Sequence, residues 1–297
     1  MPAHSDIHHE PVMAAEVVTW LAVRPGGAYV DCTLGDAGHA TAILEASAPD
    51  GRVLGLDADP EALPPATERL RRFGDRAVVV NANFGTVASQ ASAYGFVPAD
   101  GVLFDLGLSS RQLDVEERGF SFRRSAPLDM RFMPEGPSAA ELVNGLPEQE
   151  LADLIYTLGE EPRSRRIARA IVAARPLTDT AELAEVVARA SGYRRGRTHP
   201  ATRTFQALRM ATNDELGNLR RGLSQAASVL DVGGRLVTIA YHSLEDREVK
   251  RFVGSGAVRP LTKRVIKPGP EEVARNRRSR SARMRVAENA GSSEGDR

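Results

Sequence analysis

Two rhythms of apolar and polar positions alternate over the first third of the chain. Four short apolar runs, at residues 28–32 (AYVDC), 52–57 (RVLGLD), 77–81 (AVVVN) and 101–106 (GVLFDL), read as strands, with helically spaced stretches between them. Runs this continuously apolar suit strands covered on both faces. Asp59 followed by Pro60 marks a helix start, because the aspartate can cap free N–H groups and the proline fits the first turn. The pattern predicts an α/β fold, an open parallel sheet flanked by helices.

The rhythm stops after Ser110, and the next comparable run is at 235–241 (RLVTIAY), behind a long helical pattern that ends at Gly233 and Gly234. Roughly 90 residues, 112 to about 200, lie before that helix, far more than an ordinary connection. Within them 147–158, 163–174 and 180–190 have helical spacing, each bounded by Gly or Pro. The expectation is a small helical domain, 112–200, inserted into a sheet domain made of 1–111 and 201–297. The chain then returns through a helix from Ser243 and two strands near 261–267 and 282–288 before a frayed tail.

Composition narrows the class. The 297 residues, 42% hydrophobic and 26% charged, are those of a globular protein of two domains, or of one large domain with an insertion. Cys32 is the single cysteine, which excludes an internal disulfide and a four-thiolate zinc site and fits a reducing compartment. No apolar run approaches the ~18 residues of a membrane helix, and the opening MPAHSDIHHEPVM has no basic start leading into an apolar stretch. A cytoplasmic protein without a membrane partner is expected. The net charge of zero hides an asymmetry: residues 1–110 hold 6 basic and 14 acidic side chains, whereas 111–297 hold 33 and 25. Residues 259–285 have ten basic groups against Glu271 and Glu272, which suits either a polyanion or a solvated arginine-rich face.

Ligands of open α/β sheets sit beyond the carboxyl ends of the strands, so the turn after the first run is the first place to look for chemistry. It reads Asp31-Cys32-Thr33-Leu34-Gly35-Asp36-Ala37-Gly38-His39. A dinucleotide fingerprint begun at Gly35 meets Ala37 and Ala40 where glycines are required, so no pyrophosphate cradle is expected. Asp31, Asp57 and Asp105 end three of the four runs, and such a rim repels phosphate. S-adenosylmethionine fits better: it is a sulfonium cation without phosphates, its ammonium suits a carboxylate near Asp31, and its ribose diol suits Asp57, about 20 residues past the turn. Phe84 either packs on the adenine or belongs to the core, and His242 either caps the helix after it or contacts RNA. His4, His8, His9 and Glu10 lack a matching ligand cluster, so no metal is expected, and Ser243-Leu244-Glu245 is no nucleophile elbow.

Longer motifs carry a resemblance. Asp105-Leu-Gly-Leu-Ser109-Ser110-Arg-Gln112-Leu-Asp114, Arg118-Gly-Phe-Ser-Phe122 and Pro127-Leu-Asp-Met-Arg131 are joined by His9-x-Pro11-Val12-Met13, His199-Pro-Ala-Thr-Arg-Thr-Phe-Gln-Ala-Leu-Arg209, His242-Ser-Leu-Glu-Asp-Arg247 and Arg278-Ser-Arg-Ser-Ala282. From about residue 8 to 288 the chain resembles the MraW or RsmH family. That resemblance implies a Rossmann-like class I methyltransferase sheet with an inserted helical domain, and S-adenosylmethionine-dependent N4-methylation of a cytosine in the decoding centre of bacterial 16S rRNA. The implied partner is 16S rRNA within the small ribosomal subunit or a late assembly intermediate. The implied cofactor residues are Ala37, Gly38, His39, Asp57, Phe84, Asp105 and Gln112. Ala37 stands where the family has glycine, Val265 and Arg277 stand where proline is common, and Ala211-Thr212 and Ala240-Tyr241 also depart from the pattern.

Asp105 has two open roles, catalytic, between cofactor and target amine, or cofactor holding alone. Phosphate contacts are expected from Arg163, Arg165, Arg166, Arg194, Arg195 and Arg197 and from the Arg275 to Arg285 tail. An exocyclic-amine methyltransferase of DNA or of a small amine, and a noncatalytic RNA-binding protein, are the alternative functions. The inserted domain and basic tail argue against a small substrate, and the retained Asp57 and Asp105 against a dead scaffold.

Overall fold

The computed structural model describes residues 11–108, 112, 116–192 and 199–291. The chain divides into two compact units, Met1–Gly107 with Leu216–Arg297, and Leu108–Glu215. The second unit thus continues past residue 200, through the helix Thr202–Thr212, before the chain rejoins the first.

The first unit is built on a seven-stranded sheet of β1 (Ala28–Asp31), β2 (Arg52–Asp57), β3 (Ala77–Asn81), β4 (Ala99–Asp105), β5 (Leu230–Ala240), β6 (Arg259–Pro260) and β7 (Arg283–Glu288). Their order is β3-β2-β1-β4-β5-β7-β6. β1 to β5 are parallel, and β7 runs antiparallel to both β5 and β6. This is the Rossmann-like α/β sheet expected from the sequence. Successive side chains explain why its strands read as unbroken apolar runs: Val30, Leu54, Phe104 and Leu236 enter one core, and their neighbours Tyr29, Val53, Leu103 and Val237 enter the other. Helices Ala14–Trp20, Gly38–Ala46 and Leu63–Leu70 contribute Val17, Ile43, Leu44 and Leu70 to the Tyr29 side. Val87–Ala93, Glu215–Val229 and Ser243–Val253 contribute Val87, Leu219, Leu223 and Val249 to the other.

The strand expected at 261–267 does not form: β6 ends at Pro260, just before that span, and within it Leu261 and Ile266 each touch β7 through a short backbone link. Pro260 has no amide to donate and the edge position supplies only one partner, which keeps the pairing beyond β6 to these separate links.

In the second unit Ala139–Gly145, Glu148–Gly159, Ser164–Ala173, Thr180–Ser191 and Thr202–Thr212 surround a core that includes Val143, Leu151, Ile155, Ile167, Ile171, Leu183, Val187, Phe205 and Leu208. The three helices expected here lie within a residue of their predicted bounds, and only the last of them, Thr180–Ser191, has a side-chain N-cap. Ser138 and Glu141 form a capping box, Asp179 accepts from the amides of Ala181 and Glu182, and Gly192 closes its helix at φ 64°.

Candidate active site

β2, β1 and β4 are parallel neighbours, so the carboxyl ends of these strands, with Asp57, Asp31 and Asp105, share one edge of the sheet. The turn between β1 and the helix Gly38–Ala46 rises over that edge. Gly35 has φ 48° and Ala37 φ 59°. The left-handed conformation costs a residue with a Cβ about 1–2 kcal/mol, so alanine is the strained choice at a position where the resemblance implies glycine. The Ala37 methyl is fully buried, so the strain is held by packing around it. At Gly38 a Cβ would lie 3.0 Å from the Pro11 ring, so the bare backbone lets the N-terminal segment cross the turn closely.

Asp57 is held from two sides, its Oδ2 accepting from the Gly35 amide at 2.7 Å and its Oδ1 from the Asp59 amide at 2.8 Å. Burial nevertheless pushes its carboxyl up to about 6. The helix-capping role falls instead to Asp59, whose carboxylate accepts from the Glu61 amide. With both oxygens oriented by backbone, Asp57 offers its remaining lone pairs in a fixed direction.

Asp31 is fully buried, and burial lifts its carboxyl to about 6 as well, His39 pulling the other way. Its Oδ1 accepts from the Thr33 amide at 3.1 Å, whereas its buried Oδ2 has no hydrogen-bond partner. A buried polar atom without a partner is costly, and an ammonium brought to this oxygen would satisfy it. The neighbouring His39, 5% exposed, lies with Nε2 3.2 Å from Asp105 Oδ2, and its Nδ1 is a second buried atom without a partner. Burial opposes charge on His39, but Asp105, Asp31 and Glu272 together outweigh it and raise the imidazole pKa.

Asp105 is gripped on both oxygens, Oδ2 by His39 and Oδ1 by the Tyr241 hydroxyl at 2.7 Å, while its amide donates to Thr33 Oγ1 at 2.7 Å. Thr33 and Tyr241 are the residues that sequence reasoning missed. The register carried a signal for the second: β4 and β5 pair Asp105 with Ile239, so a residue two places on emerges beside the aspartate. Phe84, just after β3, meets Phe104 edge to face at 5.6 Å and is half-buried against the core. Gln112 is buried within the second unit. His242 takes the capping geometry: its Nδ1 accepts from the Glu245 amide, and Glu245 returns a carboxylate to the amides of Tyr241 and His242.

The basic residues sort differently from the sequence expectation. Arg283 and Arg285 project from β7 onto Asp246, at 3.4 and 2.8 Å, and so fasten the strand to a helix. Arg163 donates to the Ser191 carbonyl at 2.6 Å. Arg165, Arg166, Arg277, Arg278 and Arg280 are exposed or partly so at the surface, and Arg194, Arg195 and Arg197 lie outside the described residues, as do His4, His8, His9 and Glu10.

The chemistry of this donor set matches S-adenosylmethionine. Among the described residues the three carboxylates are held by backbone amides, a histidine and a tyrosine rather than by lysine or arginine, which suits a cationic ligand that lacks phosphate. Asp57 suits a diol, and the orphaned Asp31 oxygen suits an ammonium. Comparison with known proteins agrees. The chain is 53% identical over 300 residues to the ribosomal RNA small subunit methyltransferase H of Dehalococcoides mccartyi, covering 94% of this chain and 86% of that one. It is 51% identical over 303 residues to the protein of that name from Thermomicrobium roseum, covering 94% and 93%. A Xanthobacter autotrophicus relative, again so named, is 48% identical over 301 residues, with 94% and 87% covered. With residues 6–290 matching the family's model as well, the chain belongs to the MraW methylase family.

Proposed function

We propose that this protein transfers a methyl group from S-adenosylmethionine to the N4 amine of a cytosine in the decoding centre of small-subunit rRNA, acting on the small subunit or a late assembly intermediate. The observation that carries the reading is the convergence of Asp31, Asp57 and Asp105 around the Gly35–His39 turn, with an unsatisfied buried oxygen on Asp31. The relatives' names supply the RNA class.

When bound, S-adenosylmethionine supplies an electrophilic methyl carbon on a positively charged sulfur. Ala37, Gly38 and His39 line the close backbone approach, Asp57 accepts from the ribose hydroxyls, Asp31 takes the ammonium, and Phe84 covers the adenine. Gln112 is assigned to the same set on the family resemblance. A cytosine amine is a weak nucleophile because its lone pair is shared with the ring, so orientation supplies much of the acceleration. Asp105 accepts a hydrogen bond from that amine and so holds its lone pair on line. The bound cofactor would supply the methyl carbon to that nitrogen, the carbon–sulfur bonding pair leaving with the sulfur. The proton that the cationic amine then sheds passes through Asp105 to water.

The base has to leave its stack to reach such a site, and exposed arginines of the second unit and the tail grip the phosphates around it. The test is to incubate the protein with labelled S-adenosylmethionine and small subunits lacking the modification, then map the methylated base. Label on a cytosine N4 of 16S rRNA is expected, and label on DNA or a small amine, or none, would replace the reading.

A further inference from the structure

Tyr241 is the means by which β5 reaches Asp105. A carboxylate at a strand end turns freely about its last torsion, which is broad and roughly two-fold. Here one donor sits on each oxygen, Tyr241 on Oδ1 at 2.7 Å and His39 on Oδ2 at 3.2 Å, and Thr33 holds the Asp105 backbone from β1's end. The ring that brings the hydroxyl there is itself placed by a glycine: at Gly107, φ +112°, a Cβ would come within 3.2 Å of Tyr241 Cδ2. Burial of the ring and the acids around the hydroxyl, Asp105, Glu245 and Glu272, all favour its protonated form, so it is a donor throughout the working pH range.

We propose that Tyr241 is a positioning residue for methyl transfer, its hydroxyl setting the plane of the Asp105 carboxylate so that the remaining lone pairs of that group face the target amine. This rests on the role given to Asp105 above. The His39 contact alone would leave Oδ1 free and the carboxylate able to swing about the Oδ2 anchor. Phenylalanine in place of Tyr241 keeps the ring and removes only the donor.

The experiment compares Tyr241→Phe, Asp105→Asn and the double variant with the parent protein, using S-adenosylmethionine and unmodified small subunits. Tyr241→Phe is expected to keep a native unfolding transition and a cofactor dissociation constant within about twofold, and to lower kcat about tenfold or more, as loss of a hydrogen bond to a charged group does. The double variant is expected to be no slower than Asp105→Asn, since a residue that acts through another adds nothing once the other is gone. Rate losses that multiply, an unchanged kcat in Tyr241→Phe, or a loss confined to cofactor affinity would each overturn the proposal. So would loss of the native transition, which would assign the hydroxyl to folding. Full activity in Asp105→Asn, or no methylation of subunits by the parent, would instead remove the role of Asp105 itself, a failure that these arms tell apart.

Discussion

Asp57 gathers two backbone N–H groups before any ligand arrives, so the cost of orienting it is met by the fold. Asp57→Ala is expected to weaken cofactor binding at least about tenfold by calorimetry, because each hydroxyl loses a charged acceptor worth about 1.5–3 kcal/mol. An unchanged dissociation constant would remove the ribose assignment. The raised carboxyls of Asp31 and Asp57, both about 6, also set two opposite pH trends. In the ligand-free protein these groups bind protons more readily folded than unfolded, so stability falls as pH rises through that range. His39 acts in the same direction: its raised pKa contributes stability that is present below the unfolded value and lost as pH climbs through the folded one. Acidifying from about pH 7.5 to about pH 5 should therefore raise the unfolding midpoint by a few degrees while weakening the cofactor, which needs both carboxylates ionised. Parallel trends in the two measurements would show that these acids do not face the ligand.

At the scale of elements, the helix Glu215–Val229 approaches the site through Gly222. A Cβ there would meet the Phe84 carbonyl at 3.0 Å and the Phe104 ring at 3.1 Å. Helix propensity alone would favour alanine at this position by about 1 kcal/mol. Packing opposes it, because backbone and two aromatic rings cannot all give way, and overpacking costs typically about 1–3 kcal/mol. Gly222→Ala is thus expected to lower stability by up to about 2 kcal/mol, the packing cost less the propensity gain, and to loosen cofactor binding by displacing Phe84. A variant more stable than the parent, with unchanged affinity, would show that this face has room. β7 illustrates the same interplay, since its alternation places Met284 and Val286 in the core and turns Arg283 and Arg285 to Asp246.

For the whole molecule, zero net charge coexists with a basic second part, and the fold decides which of its arginines face outward. Arg277, Arg278 and Arg280 lie at the surface beyond the helix Pro270–Arg275, whereas Arg283 and Arg285 are paired with Asp246. Changing the first three to glutamine should weaken subunit binding and lower its salt slope by about 0.7 for each phosphate that is no longer neutralised. Cofactor affinity should stay the same. Equal slopes for parent and triple variant would place the RNA surface elsewhere. Among the described residues no helix is long and apolar enough to cross a membrane.

Much of this was legible along the chain. Unbroken apolar runs determined β1 to β5, because strands covered on both faces have no solvent side to encode, and helical spacing bounded by Gly or Pro determined three helices of the second unit. The aspartates ending the runs were readable too, since strand ends are where such sheets hold ligands. What only the tertiary structure decided was partnership. That Tyr241 and His39 take one oxygen each of Asp105, that an Asp31 oxygen is left without a partner, and that Ala37 sits at positive φ depend on which strand ends become neighbours. The two tail arginines drawn to Asp246 and the shortening of β6 at the sheet edge follow from neighbours distant in sequence. Local pattern specifies what a segment buries and how it is capped, whereas the partner of a polar group is chosen by packing across the sheet, which no single stretch of sequence contains.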